Sequence, residues 1–394
     1  MTTLNKNRIQ SIDLLRGIIM IIMALDHTRD FFHIQANLDD PLNLATTTPV
    51  LFFTRWITHF CAPIFLFLSG VSAWLQTGRK TKKELSQFLI TRGIWLILLD
   101  LTVITFGTTA DIHFSYFVIQ TLWAIGISMA ILGLMIWLPF NVILITGLII
   151  VLGHNSLDFL EADHKDDLGF WYHLLHQQGV FHLGNNHSLF IFYPFLAWSG
   201  LMMLGYCCGK IFTAYEPATR SKILLRLGFG LLALFVVLRF INVYGDPLHW
   251  SAQKNGLYSF LSFINVQKYP PSLLYMCITI GVAFIFLALV KNINNRLSKI
   301  LIVYGRVPMF YYIIHFYTLN IISISCFLGR GHTVAEGLKG MPGSPWKFVA
   351  PGEGYSLGIV YLIWLSVVIA LYPLCRWYDR YKSSHPEKKW LSYL

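Results

Sequence analysis

The stretch Ser11-Ile-Asp13-Leu-Leu-Arg16-Gly17 leads into an apolar run that ends at Asp26-His27-Thr28-Arg29-Asp30. Its middle is apolar enough for lipid, yet both ends carry ionisable groups. Asp13 and Arg16 are three apart, which puts them on one helix face where they can pair. By the same geometry Asp26 can meet Arg29 or Asp30, and His27 can meet Asp30. The stretch therefore reads as one helix with an ionic foot, an apolar middle and a histidine–carboxylate head. Ionisable groups within a membrane-spanning helix are costly and face a cavity or a partner. Polar chemistry is expected at both ends of this helix.

The rest of the chain has the same character. Of 394 residues, 55% are hydrophobic and only 12% charged, against roughly 25% charged in soluble domains. So few charges cannot cover the surface of a soluble fold of this size. The net charge of +11 does not point to nucleic acid, because the basic residues lie in short clusters between apolar runs: Arg79, Lys80, Lys82 and Lys83; Arg220, Lys222 and Arg226; Lys291, Arg296 and Lys299; Arg376, Arg380, Lys382, Lys388 and Lys389. Lys and Arg placed this way encode orientation, being retained on the cytoplasmic side.

A spanning helix needs about 20 mostly apolar residues. Candidate spans are roughly 9–29, 50–76, 88–108, 116–137, 139–153, 189–210, 223–243, 271–290, 300–327 and 355–375. Threading them alternately puts every basic cluster on the side of the N-terminus, and the opposite loops (30–49, 109–115, 154–188, 244–270 and 328–354) hold few Lys or Arg. The expectation is an all-α polytopic bundle of about ten spans, a single transmembrane domain over 1–394 with both termini cytoplasmic. Lys6 and Arg8 precede an apolar stretch with no small-residue cleavage site, so that stretch is expected to be a retained helix. Six cysteines sit in or beside apolar runs without metal-type spacing and read as core residues.

Further ionisable groups fall inside the spans. Arg55 and His59 are one turn apart in the second, where Pro63 cannot donate to the carbonyl of His59; a kink is expected there, with that carbonyl left free. Arg92 and Asp100 lie two turns apart in the third. Lys268 opens the eighth, while Arg306 lies one or two turns into the ninth and His315 near its mid-depth. Asp13 and Asp100 are available to pair with Arg16 and Arg92. The loop 154–188 holds six histidines (His154, His164, His173, His176, His182 and His187), but their spacing matches no closed metal site, and no metal is expected. The Gly- and Pro-containing stretch Gly329–Gly354 reads as an ordered lid or irregular connector.

Together these stretches resemble a known family. Ser-Ile-Asp-Leu-Leu-Arg-Gly, with an apolar helix ending Met23-Ala-Leu-Asp-His27, looks like the opening of the lysosomal heparan-alpha-glucosaminide N-acetyltransferase family and its bacterial relatives. Ala62-Pro63-Ile-Phe-Leu-Phe-Leu-Ser-Gly70 looks like that family's second helix, and the resemblance extends in outline over the whole chain. A wider kinship is with membrane acyltransferases of surface sugars, which share the Asp-x-x-Arg-Gly opening, a histidine about ten residues on, and a late helix like Tyr311–His315. The resemblance implies a multi-pass protein of the bacterial inner membrane that moves an acyl group from acetyl-CoA to a sugar amine or hydroxyl on the extracytoplasmic side. Its partners would be membrane lipid, the CoA thioester and a carbohydrate acceptor. Two departures stand out. The lysosomal enzymes carry their active histidine in the loop after the first helix, where this chain has His33 without the matching Trp. Where they have Asn at the helix end, this chain has His27.

Acyl transfer needs a base and a group that stabilises the oxyanion. The expected catalytic set is His27, oriented by Asp26 or Asp30, with Arg55 and His59; His27, His59 and His33 all remain open as the base. Arg16, Arg92 and Arg306 are expected to hold the CoA phosphates, and Lys268, Arg29, His33 and His315 to contact substrate. From Arg16 to His27 is roughly 16 Å along a helix, comparable to an extended pantetheine arm. The main rival is a proton-coupled transporter or flippase of a sugar or lipid-linked substrate, though no inverted repeat or matched pair of broken helices is visible. A scaffold or sensor binding neither CoA nor sugar is a third reading.

Overall fold

The computed structural model describes residues 9–36, 38–164, 168–184, 186–290, 295–341 and 344–392. The opening stretch forms helix α1 (Gln10–Phe32). There follow α2 (Pro49–Gln76), α3 (Lys82–Thr109), α4 (Thr121–Met135) and α5 (Phe140–Asp163), then α6 (Leu196–Ala214), α7 (Pro217–Ile241), α8 (Leu273–Leu289), α9 (Pro308–Gly329) and α10 (Leu357–Ser384). Among the described residues six of these, α2, α3, α5, α7, α9 and α10, are long and apolar enough to cross a membrane. Helices α4 and α8 are apolar but shorter. On α7 and α10, Phe240 and Ile369 are 66% and 70% exposed. Apolar surface of that kind suits a lipid solvent rather than water.

Several helix starts are chemically marked. Thr48 accepts from the Leu51 amide ahead of Pro49, Thr81 forms a capping box with Glu84, and Ser272 accepts from the Tyr275 amide. The segments 116–137 and 189–210 do not begin as helix. Their leading residues belong to β1 (Tyr116–Ile119) and β3 (His187–Ile191), which with β2 (Gly179–Gly184) form a small sheet in the order β1-β3-β2. Strand β1 runs parallel to β3, with Tyr116 opposite Ser188, and β2 runs antiparallel to it. Strands of four to six residues beside long apolar helices leave no periodic signal of their own, so the expected helices started too early.

The segment 300–327 is likewise two helices. A short helix, Arg296–Arg306, ends at Val307, and Pro308 starts α9 at a first-turn position where its missing N–H costs nothing. Arg306 is therefore the last residue of the short helix, not a group one or two turns into α9.

That short helix packs against α1 through glycines. A Cβ at Gly17 would lie 1.9 Å from the carbonyl oxygen of Leu301, and one at Gly305 would lie 1.9 Å from that of Asp13. The glycine of the Asp-x-x-Arg-Gly opening is thus required by backbone contact. A similar crossing joins α3 and α4, where Gly93 and Gly126 face each other's carbonyls. Small residues at such crossings are how membrane helices approach closely. In the stretch Gly329–Gly354, the described residues include a helix, Val334–Lys339, and Phe348 packs against Phe327 and Gly337.

Candidate active site

At its Arg16 end, α1 keeps the expected ion pair. Arg16 lies 3.4 Å from Asp13 and donates to Ser72 Oγ at 3.1 Å and to the Gly305 carbonyl. It opens onto a cavity of about 260 Å3 whose lining includes Arg92, Arg306 and Lys382. Arg306 pairs with Asp379 at 3.4 Å, and Arg92 lies over the Phe88 ring. The three arginines expected together do converge, and Lys382 joins them.

Asp100 does not serve any of these arginines. Its Oδ2 accepts from the backbone amides of Gln120 and Trp123, at 2.6 and 3.0 Å. It thereby caps α4 from a neighbouring helix, favourable because a helix N-terminus presents unpaired N–H groups and positive potential. The capped turn holds Thr121, which lines the cavity. Sequence spacing pairs Asp100 with Arg92 only if the helix partner is ignored; the tertiary partner is a backbone.

At the other end of α1, Asp26 is the centre of an ionic cluster. Arg29 reaches its Oδ1 at 3.0 Å; Arg55 and Lys268 lie 3.2 and 4.0 Å from its Oδ2. Asp30 also pairs with Arg29. Two carboxylates thus meet three cations, leaving one positive charge in excess while the imidazoles are neutral. Lys268 is brought here by the loop before α8, and that loop is clamped by buried Arg239. The Arg239 guanidinium donates to the carbonyls of Leu248, Ser262, Phe263 and Asn265. Asp246, in the same loop, accepts from Ser272 Oγ at 2.6 Å; burial raises its pKa against that bond and the charge of Arg239.

His27 has a different partner from the two expected. Its Nδ1 lies 2.7 Å from Nε2 of His315, and the rings stack with centroids 5.0 Å apart. Phe316 stacks on it as well. The opposite nitrogen of His315, Nδ1, lies 3.0 Å from the Tyr311 carbonyl. A carbonyl can only accept, so in neutral His315 the proton is on Nδ1 and Nε2 is an acceptor. His27 must then donate from Nδ1, and its Nε2 is left as the basic atom. One backbone carbonyl sets both tautomers, an assignment that follows from the hydrogen-bond network.

His27 lines a second, smaller cavity of about 30 Å3, with Asp26, Lys268, Tyr193 and Tyr312 among its walls. Phe65, Thr121 and Tyr312 line both this cavity and the larger one. The two spaces therefore abut, one walled by arginines and the other by His27.

The remaining expected residues lie apart from the cavity. The His59 ring is 1% exposed, and neither of its nitrogens has a partner among the described residues. Its carbonyl, which Pro63 leaves without a helical donor, accepts from Tyr275 Oη at 2.6 Å. His33 lies past the end of α1, bridged to Tyr355; burial lowers its pKa and the charge of Arg29 lowers it further. Tyr193, Tyr312 and Thr121 were not singled out in the sequence. Only the doubled Tyr311-Tyr312 before His315 marked any of them. The histidines of 154–188 enter neither cavity, though Asp158, Glu161 and His176 come together in space.

No curated protein matches the chain. The sequence profile described as "Heparan-alpha-glucosaminide N-acetyltransferase, catalytic" matches residues 8–238, which covers α1 to α6 and most of α7, with the ionic ends of α1, Arg55, His59 and Arg92. With six helices of spanning length and this match over more than half its sequence, the chain is an integral membrane protein that belongs to the heparan-alpha-glucosaminide N-acetyltransferase family.

Proposed function

We propose that the protein transfers an acetyl group from acetyl-CoA, entering from the cytoplasm, to the amine or hydroxyl of a sugar on the extracytoplasmic side. It does so as a single domain of about ten spans with both termini cytoplasmic, in a bacterial inner membrane. The observation that carries this reading is the shared wall of Phe65, Thr121 and Tyr312 between the arginine-lined cavity and the one at His27. Four basic side chains suit the phosphates of a CoA nucleotide. The distance along α1 from Arg16 to His27, roughly 16 Å, suits the pantetheine arm.

In this reading Nε2 of His27 takes the proton from the acceptor as its nitrogen or oxygen bonds to the acyl carbon. The carbon–sulfur bond then breaks, and the thiolate leaves with the proton returned by His27. Lys268 and the surplus positive charge around Asp26 stabilise the oxyanion and the departing sulfur. Arg55, Arg29 and Asp30 hold that charge in place, His315 orients His27, and His59 packs against Tyr275. A space of about 30 Å3 holds only a water or two, so Tyr312 and Lys268 turn aside as the acyl group enters.

Purified protein titrated with CoA, and then incubated with labelled acetyl-CoA and glucosamine or its glycosides, tests this. Thermal stabilisation by CoA with label appearing on the sugar is expected. Absence of both would overturn the proposal, and stabilisation is an effect that a plain sugar transporter would not share.

A further inference from the structure

The loop 154–188 lacks any metal-type spacing in sequence, yet the fold assembles a ligand set within it. Asp158 and Glu161 are three apart at the end of α5 and so share a face. The short helix Phe170–Leu175 brings His176, at its C-cap, against them. Ligand atoms of Asp158, Glu161 and His176 all lie within 4.8 Å of one another. His176 is fully buried, with Nδ1 2.6 Å from Glu161 Oε1 and Nε2 3.0 Å from His154 Nδ1. Tyr172 Oη donates to the same Glu161 oxygen at 3.1 Å.

The independent sign that something is missing is a sealed carboxylate oxygen. Asp158 Oδ2 accepts from Asn155 at 2.7 Å, but its Oδ1 is shut off from solvent and has no partner among the described residues. A buried acceptor without a donor is unfavourable, because it has given up water and gained no partner. A cation between Asp158 and Glu161 removes that cost for the carboxylate.

We infer that Asp158, Glu161 and His176 form a structural site for a divalent ion of the zinc type. One imidazole and two carboxylates are ordinary zinc ligands, with bonds of about 2.0–2.2 Å and a tetrahedral arrangement. Donors around such an ion stand roughly 3.3 Å apart, so the contact between His176 and Glu161 opens slightly on binding. His176 then coordinates through Nδ1 and carries its single proton on Nε2, donating it to His154 Nδ1; the proton of His154 moves to its own Nε2. A histidine that donates its second N–H to an outer partner is the usual support for a metal-bound imidazole. The fourth position falls to water or the Tyr172 hydroxyl. Asn155, which orders Asp158, also accepts from the Leu273 amide at 2.8 Å. The ion thus ties α5 to the segment that carries His176, beside the contact that Asn155 makes with the start of α8.

This inference stands independently of acetyl transfer. Untagged protein in detergent, stripped with EDTA, reloaded with zinc and passed through a desalting column, is analysed for metal and for Tm. Roughly one zinc per chain and a higher Tm than the stripped form are expected, since the ion binds the folded state. Glu161→Gln combined with His176→Gln should abolish both, whereas His182→Ala, in the same loop, should retain both. Wild-type protein that keeps no zinc overturns the site, and this requires no variant to fold. Equal zinc on wild type and the double variant overturns it too.

Discussion

Among the described residues the protein holds two hydrogen-bonded pairs of histidines, His27 with His315 and His154 with His176, at 2.7 and 3.0 Å. They differ in what anchors the far nitrogen. His315 is held by the carbonyl of Tyr311, one turn back in its own helix, whereas His176 is held by the carboxylate of Glu161. A carbonyl fixes a tautomer and adds no net charge. A carboxylate fixes it too, but also brings a full negative charge that a cation can share. In the proposed reading the first pair therefore presents a base to a cavity, and the second offers His176 to a metal. Asp26, though adjacent to His27, is occupied by Arg29, Arg55 and Lys268, which keeps the first pair free of a carboxylate.

The sharpest break would come at His27 itself. His27→Ala should lower acetyl transfer roughly hundredfold to ten-thousandfold, the usual contribution of a positioned base, measured with labelled acetyl-CoA at saturating acceptor. Wild-type rates in that variant would remove His27 from the role and the first pair from catalysis. Next comes Asp26→Asn, which leaves buried cations unpaired. Losing one member of a buried ion pair costs about 3–5 kcal/mol, so thermal unfolding in detergent should show a marked fall in Tm. An unchanged Tm would mean that the cluster is solvated rather than mutually dependent.

A smaller effect is expected at His315→Phe, which keeps the stacking but loses the tautomer control. One hydrogen bond of about 0.5–1.5 kcal/mol corresponds to roughly twofold to tenfold in rate, read as kcat with KM for acetyl-CoA little changed. A loss as large as that of His27→Ala would make His315 the base instead. The mildest is His154→Phe, which removes one hydrogen bond to His176 and should cost about 0.5–1.5 kcal/mol of stability. It should move acetyl transfer less than His315→Phe does; the reverse order would erase the distinction between the pairs.

Much of the site at α1 was legible in the sequence because helical spacing acts at short range. Asp13 with Arg16, Asp26 with Arg29, and the carbonyl released by Pro63 all follow from positions three or four apart. What crossed between helices did not follow. His27 is 288 residues from His315, and a local reading offered Asp30 in its place. Asp100 was read as an arginine's partner because both lie on α3, yet it caps α4. Strands β1 and β3 were hidden at the edges of segments whose apolar character was already explained by the helices after them, and β2 lay in the loop 154–188.

The sequence alone determined the solvent of this protein and the places where polarity interrupts it, because transfer between water and lipid depends on each residue's own chemistry. It also determined which residues share a helix face, since the helix repeats every 3.6 residues. Tertiary structure decided which ring holds which, how the arginine-lined and His27-lined cavities come to share a wall, and that Asp158, Glu161 and His176 meet. Those outcomes depend on the register of one helix against another, set here by glycine contacts such as Gly17 with Leu301 and Gly305. Pairing across such distances is a property of the packed backbone, and no local spacing encodes it.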